Sequence, residues 1–300
     1  MIRRFVSLLG IGLLAAGCGL FPGRLGYLPP GSSPTPSPRP TPWPRSMAAR
    51  HYDVSSDPNQ AIVKIEGWAG PPSWYEFEWP PVMAIYADGR VIRPDSGVST
   101  IHTRLYESHV TPEEIQLILA AADDAGLLGA DATYPAPGIE YYDGPWTDFA
   151  VSADGKVHRV GAYLLGMGPT NDKALDVARA RLASFNHQMA ALDVFLGREL
   201  TAAPYDPASF RVFTQRYLPE AHFATPELTL AWPLDVDPGT GGEPTRYPET
   251  RCFLLAGSDL ERFRAAAQSA DRGTVWTHGA DSYLVKSRPL FPDETGCPSN

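Results

Sequence analysis

Apolar and polar residues alternate along this chain in short runs that stop at glycine, proline or aspartate, which is the period of strands with one buried face. AIVKIEGW at 61–68 reads as such a strand, and SWYEFEW at 73–79 alternates so that Tyr75, Phe77 and Trp79 share one face and are assigned to the core. VMAIYADGRVIRP at 82–94 sets Asp88-Gly89 between two alternating runs, a hairpin signal because both residues tolerate positive φ. The period then lengthens to that of a helix. Thr111-Pro112-Glu113-Glu114 forms a capping box with proline at the first helical position, and Ile115, Ile118, Leu119 and Ala122 make an apolar stripe that ends at Gly126.

The same order returns downstream. TDFAVSADGKVHRVGAY at 147–163 is a hairpin over Asp154-Gly155, and Leu175, Ala178, Leu182, Phe185, Met189, Leu192 and Leu196 predict one continuous helix over about 171–197. The likeness of ADGRVIR at 87–93 to ADGKVHR at 153–159 points to a hairpin-helix unit used twice, although turn chemistry alone also produces ADG. Beyond residue 200, PASFRVFTQRY at 207–217, PELTLAW at 226–232 and RCFLLAG at 251–257 are strand-like. Ser258-Asp259-Leu260-Glu261 reads as the cap of a third helix running to about Ala270, and VWTHGADSYLVKSRPL at 275–290 closes the chain as a hairpin turning near Gly279. The expected class is α+β: antiparallel hairpins and sheets with three segregated helices, arranged as a hairpin-helix domain at 49–200 and a second α+β subdomain at 201–300.

The first 48 residues follow none of these periods. Arg3 and Arg4 precede an apolar stretch from Phe5 to Ala16, too short to span a bilayer as a helix, and LLAAGC closes it at Cys18. That run resembles a bacterial lipobox. The resemblance implies a signal peptide at 1–17, cleavage before Cys18, a diacylglycerol thioether on its sulfur and an acyl chain such as palmitate on its amino group. The mature protein would then be anchored by lipid to the extracytoplasmic face of the cell membrane. Residues 18–48 form a linker in which PTPSPRPTPWP at 34–44 favours extended polyproline II, about 3.1 Å per residue, and cannot build a core. ADGRV, the TPEE-capped helix ending in AGLL and the DGPWTDF turn resemble uncharacterised bacterial lipoproteins, more loosely also through CFLLAG and RPLFPDETGC. This family resemblance covers most of residues 60–297 and implies an exported domain without any particular activity.

Export changes how the cysteines are read. With Cys18 lipidated, Cys252 and Cys297 remain of the three, and on the oxidising side of a membrane they are expected to form a disulfide worth about 4 kcal/mol by loop closure. The charge also shifts, because residues 1–48 carry five arginines and no carboxylate, which leaves 20 basic against 34 acidic groups and a net −14 on the remainder. An acidic domain of this kind argues against nucleic acid as a partner.

No GxSxG, HExxH, SxxK, P-loop or strand-following GxGxxG pattern occurs, and no cofactor or metal is expected. The seven histidines are scattered, with His158 and His187 expected at the surface. Asp235, Asp237 and Glu243 in DVDPGTGGE supply oxygen ligands suited to calcium, but Arg246 stands where an EF-hand loop needs its last acid, so a surface loop is expected. Trp68, Trp74, Tyr141, Tyr142 and Trp146 cluster in Gly/Pro-rich surroundings near Asp143 and Asp148. Tyr141, Tyr142, Asp143 and Trp146 are the candidate ligand-binding residues, for an envelope glycan or a peptide or protein partner; the alternative, which sequence favours, is that these rings cover a sheet edge and lock the loops. The leading expectation is a membrane-anchored, non-catalytic binding or envelope-associated domain. The alternative is an exported hydrolase.

Overall fold

Strand-forming runs sort into two sheets, each with helices on one face. The computed structural model describes residues 50–68, 79–95, 103–136, 144–218, 228–271 and 273–297. Cys18, the signal segment and linker, and Trp74, Tyr75, Phe77, Tyr141, Tyr142 and Asp143 lie outside these residues. The first sheet comprises Ala61–Trp68 (β1), Met83–Tyr86 (β2), Arg90–Pro94 (β3), Leu105–His109 (β4), Ala132–Tyr134 (β5), Trp146–Ala153 (β6), Lys156–Tyr163 (β7) and Ala203–Tyr205 (β8). Its eight strands follow the order β5-β7-β6-β1-β2-β3-β4-β8, so it takes in residues as late as Tyr205. The second is built from Ser209–Arg216 (β9), Thr229–Ala231 (β10), Glu243–Pro244 (β11), Thr250–Ala256 (β12), Val275–His278 (β13) and Asp281–Pro289 (β14), in the order β10-β13-β14-β9-β12-β11. With the helices Pro112–Asp124 (α1), Lys173–Ala190 (α2), Leu192–Leu196 (α3) and Gly257–Ala267 (α4), the class is α+β.

Several expectations need correction. The described helices are four rather than three, because the long helix expected over about 171–197 breaks at Ala191 (φ −114, ψ 51), after which α3 stops at a left-handed Gly197. The two ADG turns differ. Asp154 and Gly155 both take positive φ (52 and 73), giving a two-residue turn between Ala153 and Lys156, whereas at Asp88-Gly89 only Gly89 does (φ 91). There the loop takes three residues, and a Cβ on Gly89 would collide with the Val110 carbonyl, whose own amide bonds Gly89 O. The cap expected at Ser258 is also absent; α4 begins at Gly257 after Ala256, without a side-chain cap. Trp79, assigned to the core, is 41% exposed and outside any strand, since Pro80 and Pro81 lack the amide protons needed for pairing and the ladder starts only at Met83. Finally, β5–β7 and β10–β13 pair in parallel.

The helices bury the faces expected of them. Thr111 and Glu114 close the capping box on α1, and Ile115, Ile118, Leu119 and Ala122 pack with Leu182, Phe185 and Met189 of α2 onto Val63, Ile65, Met83, Ile85, Phe149, Val151 and Val160. Within that buried face stands one charge. Arg179 donates to the carbonyls of Tyr134, Pro135, Tyr163 and Leu164 at 2.6–3.2 Å, and so pins the ends of β5 and β7 together. On the second sheet, Leu260, Phe263 and Ala267 of α4 cover Phe210, Val212, Phe253, Leu255, Trp276 and Val285.

The helix-free faces are joined by the carboxy-terminal segment. Cys297 is disulfide-bonded to Cys252, and Arg211 donates twice to the Gly296 carbonyl, fixing this segment to the second sheet. Phe291 meanwhile buries itself among Ala84, Tyr86, Ile92 and Leu105 of the first. Asp293 accepts from Tyr86 Oη (2.7 Å) and Lys64 Nζ (2.9 Å), and Glu294 accepts from both terminal nitrogens of the Arg288 guanidinium (2.6 and 2.7 Å) and from the Phe291 amide (3.0 Å).

Burial opposes the charge on Glu294, but its hydrogen bonds and the field of Arg288 and Lys64 outweigh this and hold its carboxyl at about 2. A depressed carboxylate contributes stability that is present above its unfolded value and lost as pH falls toward the folded one. Glu294→Gln should therefore cost about 3 to 5 kcal/mol at neutral pH by stranding Arg288, a cost that narrows in urea melts as pH drops from 4.5 toward 2. Lys286, buried on the same face of β14 as Arg288, carries the opposite sign: desolvation pushes its amine down to about 7 from 10.5, so the unfolded chain binds the proton more tightly. Stability should climb with pH across that window, and Lys286→Met should flatten the climb and raise Tm at pH 7.

Candidate functional site

Side chains two residues apart on a strand share a face, so the register of β1, β6 and β7 builds rows across the sheet. On the face opposite α1 and α2, Trp68 pairs with Trp146 and Trp146 with Tyr163, forming an aromatic row. One step inward, Glu66 faces Asp148 and Asp148 faces Gly161; the next step carries Lys64, Ala150 and Arg159. The indoles of Trp68 and Trp146 stack with centroids 6.0 Å apart and planes at 15°, and Tyr163 lies 5.2 Å from Trp146 at 40°. The Tyr163 hydroxyl accepts from the Gly144 amide (3.0 Å), tying the approach to β6 to the same row.

An open cleft of about 650 Å³ lies beside these rows, lined by Trp68, Trp146, Glu66, Asp148, Thr133 and Arg159 among others. Gly161 is its floor. A Cβ there would come within 2.7 Å of Asp148 Oδ1 and 3.7 Å of the Trp146 ring, so the missing side chain makes room for the carboxylate and the indole that pass over it. Asp148 Oδ2 accepts from Trp68 Nε1 at 3.3 Å, which orients the carboxylate and leaves Oδ1 over the glycine. Burial pushes the Asp148 carboxyl above its ordinary value, partly offset by the Trp68 bond. The cleft holds donors, acceptors and an aromatic wall together, which is the make-up of a small-ligand site.

Of the expected site residues, Trp146 belongs to this cleft, but it opens a strand rather than sitting in a loop. Tyr141, Tyr142 and Asp143 fall outside the described residues. The mirrored spacings Glu66-x-Trp68 and Trp146-x-Asp148 were the available signal for the carboxylate pair; nothing in the sequence pointed to Gly161, Thr133 or Arg159, which arrive by register. The other candidates are engaged elsewhere. Asp235 pairs with Arg262, Asp237 accepts from the Gly239 amide, and Glu243 lies in β11, and among the described residues no group of three metal-ligating side chains forms. His158 Nδ1 lies 2.6 Å from the Gly129 carbonyl, and His187 is exposed on α2. No family model matches the chain, and no curated protein or solved structure is significantly similar to it.

Two substitutions separate packing from binding in this cleft. Trp146→Ala removes a half-buried ring that stacks on Trp68 and packs at a tilt against Tyr163, and should cost roughly 2 kcal/mol in denaturant melts, less than the loss of a fully buried tryptophan. Asp148→Asn should do the reverse. A carboxyl whose folded value is raised loses stability as pH rises through it, so the amide should melt higher at neutral pH and equal to the parent in strong acid.

Proposed function

We propose that this chain is a lipid-anchored, extracytoplasmic domain of the cell envelope that binds its ligand, without catalysis, in the cleft on the open face of the eight-stranded sheet. The observation that carries the reading is the Trp68–Trp146–Tyr163 row standing beside a half-buried Asp148. A sheet face that served only to pack would not keep a carboxylate there at a cost in stability. The anchor rests on the LLAAGC run and the proline-rich linker, which would stand the domain off the membrane.

Two measurements bear on this. Mature protein should enter the detergent phase on partitioning, and Cys18→Ser should release it or leave the precursor uncleaved; an unchanged variant ends the anchor. Asp148→Asn, folded and more stable, should lose retention on isolated envelope material that the parent retains, and equal retention would remove the cleft from the function.

A hydrolase remains the second reading because Glu66 and Asp148 stand directly opposite on adjacent strands, and a raised carboxyl is what a general acid needs. Release of soluble fragments from envelope material, abolished by either Glu66→Gln or Asp148→Asn, would establish it in place of simple binding.

A further inference from the structure

Lys64 stands between two sets of carboxylates. Its Nζ bonds Asp293 at 2.9 Å and lies 3.7 Å from Glu294, both on the segment that follows β14, and it lies 3.8 Å from Glu66, which lines the cleft. Its cross-strand neighbours are Ala84 on β2 and Ala150 on β6, so no large side chain on either strand fixes the lysine stem. The two sets are therefore alternatives for one ammonium group on a flexible chain. Glu66 matters to the cleft because it stands in register with Asp148, so a ligand that reaches Asp148 meets the Glu66 charge as well unless Lys64 has taken it.

Asp293 keeps the lysine only while its own segment lies on the sheets. From Phe291 to Cys297 no residue belongs to a strand. Near β14 the segment is held by the Phe291 ring and by Glu294 on Arg288; at its far end it is held by the disulfide to Cys252 and by Arg211 on the Gly296 carbonyl. Without the disulfide the far end keeps only the Arg211 bonds, and the entropy of an untethered segment opposes the Asp293 contact. Cys252 is 1% exposed, whereas Cys297 is only partly covered, so the sulfur open to a thiolate from solution is that of Cys297.

Resting on the binding function proposed above, we infer that the segment from Phe291 to Cys297 is a redox-sensitive strap that governs the cleft through Lys64. Oxidised, the strap keeps Lys64 on Asp293 and leaves Glu66 to the ligand; reduced, it loosens and Lys64 turns to Glu66. The reductant is an external dithiol. One of its thiolates attacks Cys297 Sγ, the Cys252 sulfur departs as a thiolate, and the second thiolate displaces Cys297 from the mixed disulfide. Two electrons pass to the protein, both cysteines end as thiols bearing the two protons of the dithiol, and the dithiol leaves as its own disulfide.

The test uses the full chain in detergent, oxidised and after treatment with dithiothreitol. A carbodiimide joins an amine to a carboxylate in contact with it, and mass spectrometry locates the amide. In the oxidised chain Lys64 should be joined chiefly to Asp293; after reduction the Lys64–Glu66 product should rise at its expense, and exchange of the Phe291 and Glu294 amides should quicken about tenfold or more. Retention on isolated envelope material should weaken about two- to fivefold on reduction, the worth of one exposed charge contact, and Lys64→Met should remove that dependence. Should reduction unfold the chain, Asp293→Asn in the oxidised protein carries the same comparison, since it takes away the nearest partner of Lys64 on the strap. Lys64 still joined to Asp293 in the folded, reduced chain would overturn the strap, and a strap that loosens without Lys64 reaching Glu66 would overturn the relay. If Lys64 changes partner while retention stays constant, the Asp148→Asn variant separates the two readings: lost retention in that variant overturns the control alone, and retention equal to the parent's overturns the cleft as the binding site.

Discussion

Glu294 is where the two sheets are held together. Its carboxylate takes two hydrogen bonds from the Arg288 guanidinium of the second sheet, lies 3.7 Å from Lys64 of the first, and accepts the amide of Phe291, whose ring is seated in the first sheet's open face. A buried Arg288 and a largely covered Glu294 and Lys64 are costly to desolvate separately, and the arrangement is tolerable only because each charge meets another within hydrogen-bond or near-contact distance. Loss of that alignment would leave Arg288, 5% exposed, without its carboxylate, and would free Asp293 from Lys64 and Tyr86. The disulfide from Cys297 to Cys252 shortens the search for this arrangement by holding the far end of the segment on the second sheet.

That clamp also decides where a ligand site can exist. The helices α1 and α2 pack on one face of the eight-stranded sheet, and the carboxy-terminal segment covers the other face over β2, β3 and β4 through Phe291. The half made by β5, β7, β6 and β1 is left for the cleft. β1 belongs to both halves: Lys64 is committed to the clamp, while Glu66 and Trp68, two and four residues further along the same face, line the cleft. Lys64 lies 3.8 Å from Glu66, so the charges of the two regions touch along one strand.

Within the cleft, stability and chemistry pull apart. Asp148 sits where burial disfavours its ionised form, and Gly161 gives up a side chain that a strand would ordinarily use for packing. Arg179, on the other face, offsets some of this by binding four carbonyls at the ends of β5 and β7, which keeps the strands bearing Thr133 and Tyr163 in register under the cleft. A positioned site needs such support from behind, because loops alone hold geometry poorly.

Local chemistry was legible in the residues themselves. The Thr111 to Glu114 capping box, the alternation of β1, the Asp154-Gly155 turn and the hairpin at Gly279 all depend on neighbours within a few positions, and each forms as its residues imply. With Cys18 set aside, Cys252 and Cys297 were the two cysteines left to pair, and the disulfide joins them. Tertiary structure alone decided the rest. That Asp88-Gly89 takes a three-residue loop follows from the Val110 carbonyl packed against it, and that the long helix breaks at Ala191 is visible only in the folded backbone. The cleft was not legible for the same reason: Glu66, Asp148, Gly161 and Arg159 are separated by up to ninety-odd residues, and only cross-strand register, a property of paired strands and not of any one segment, sets them side by side.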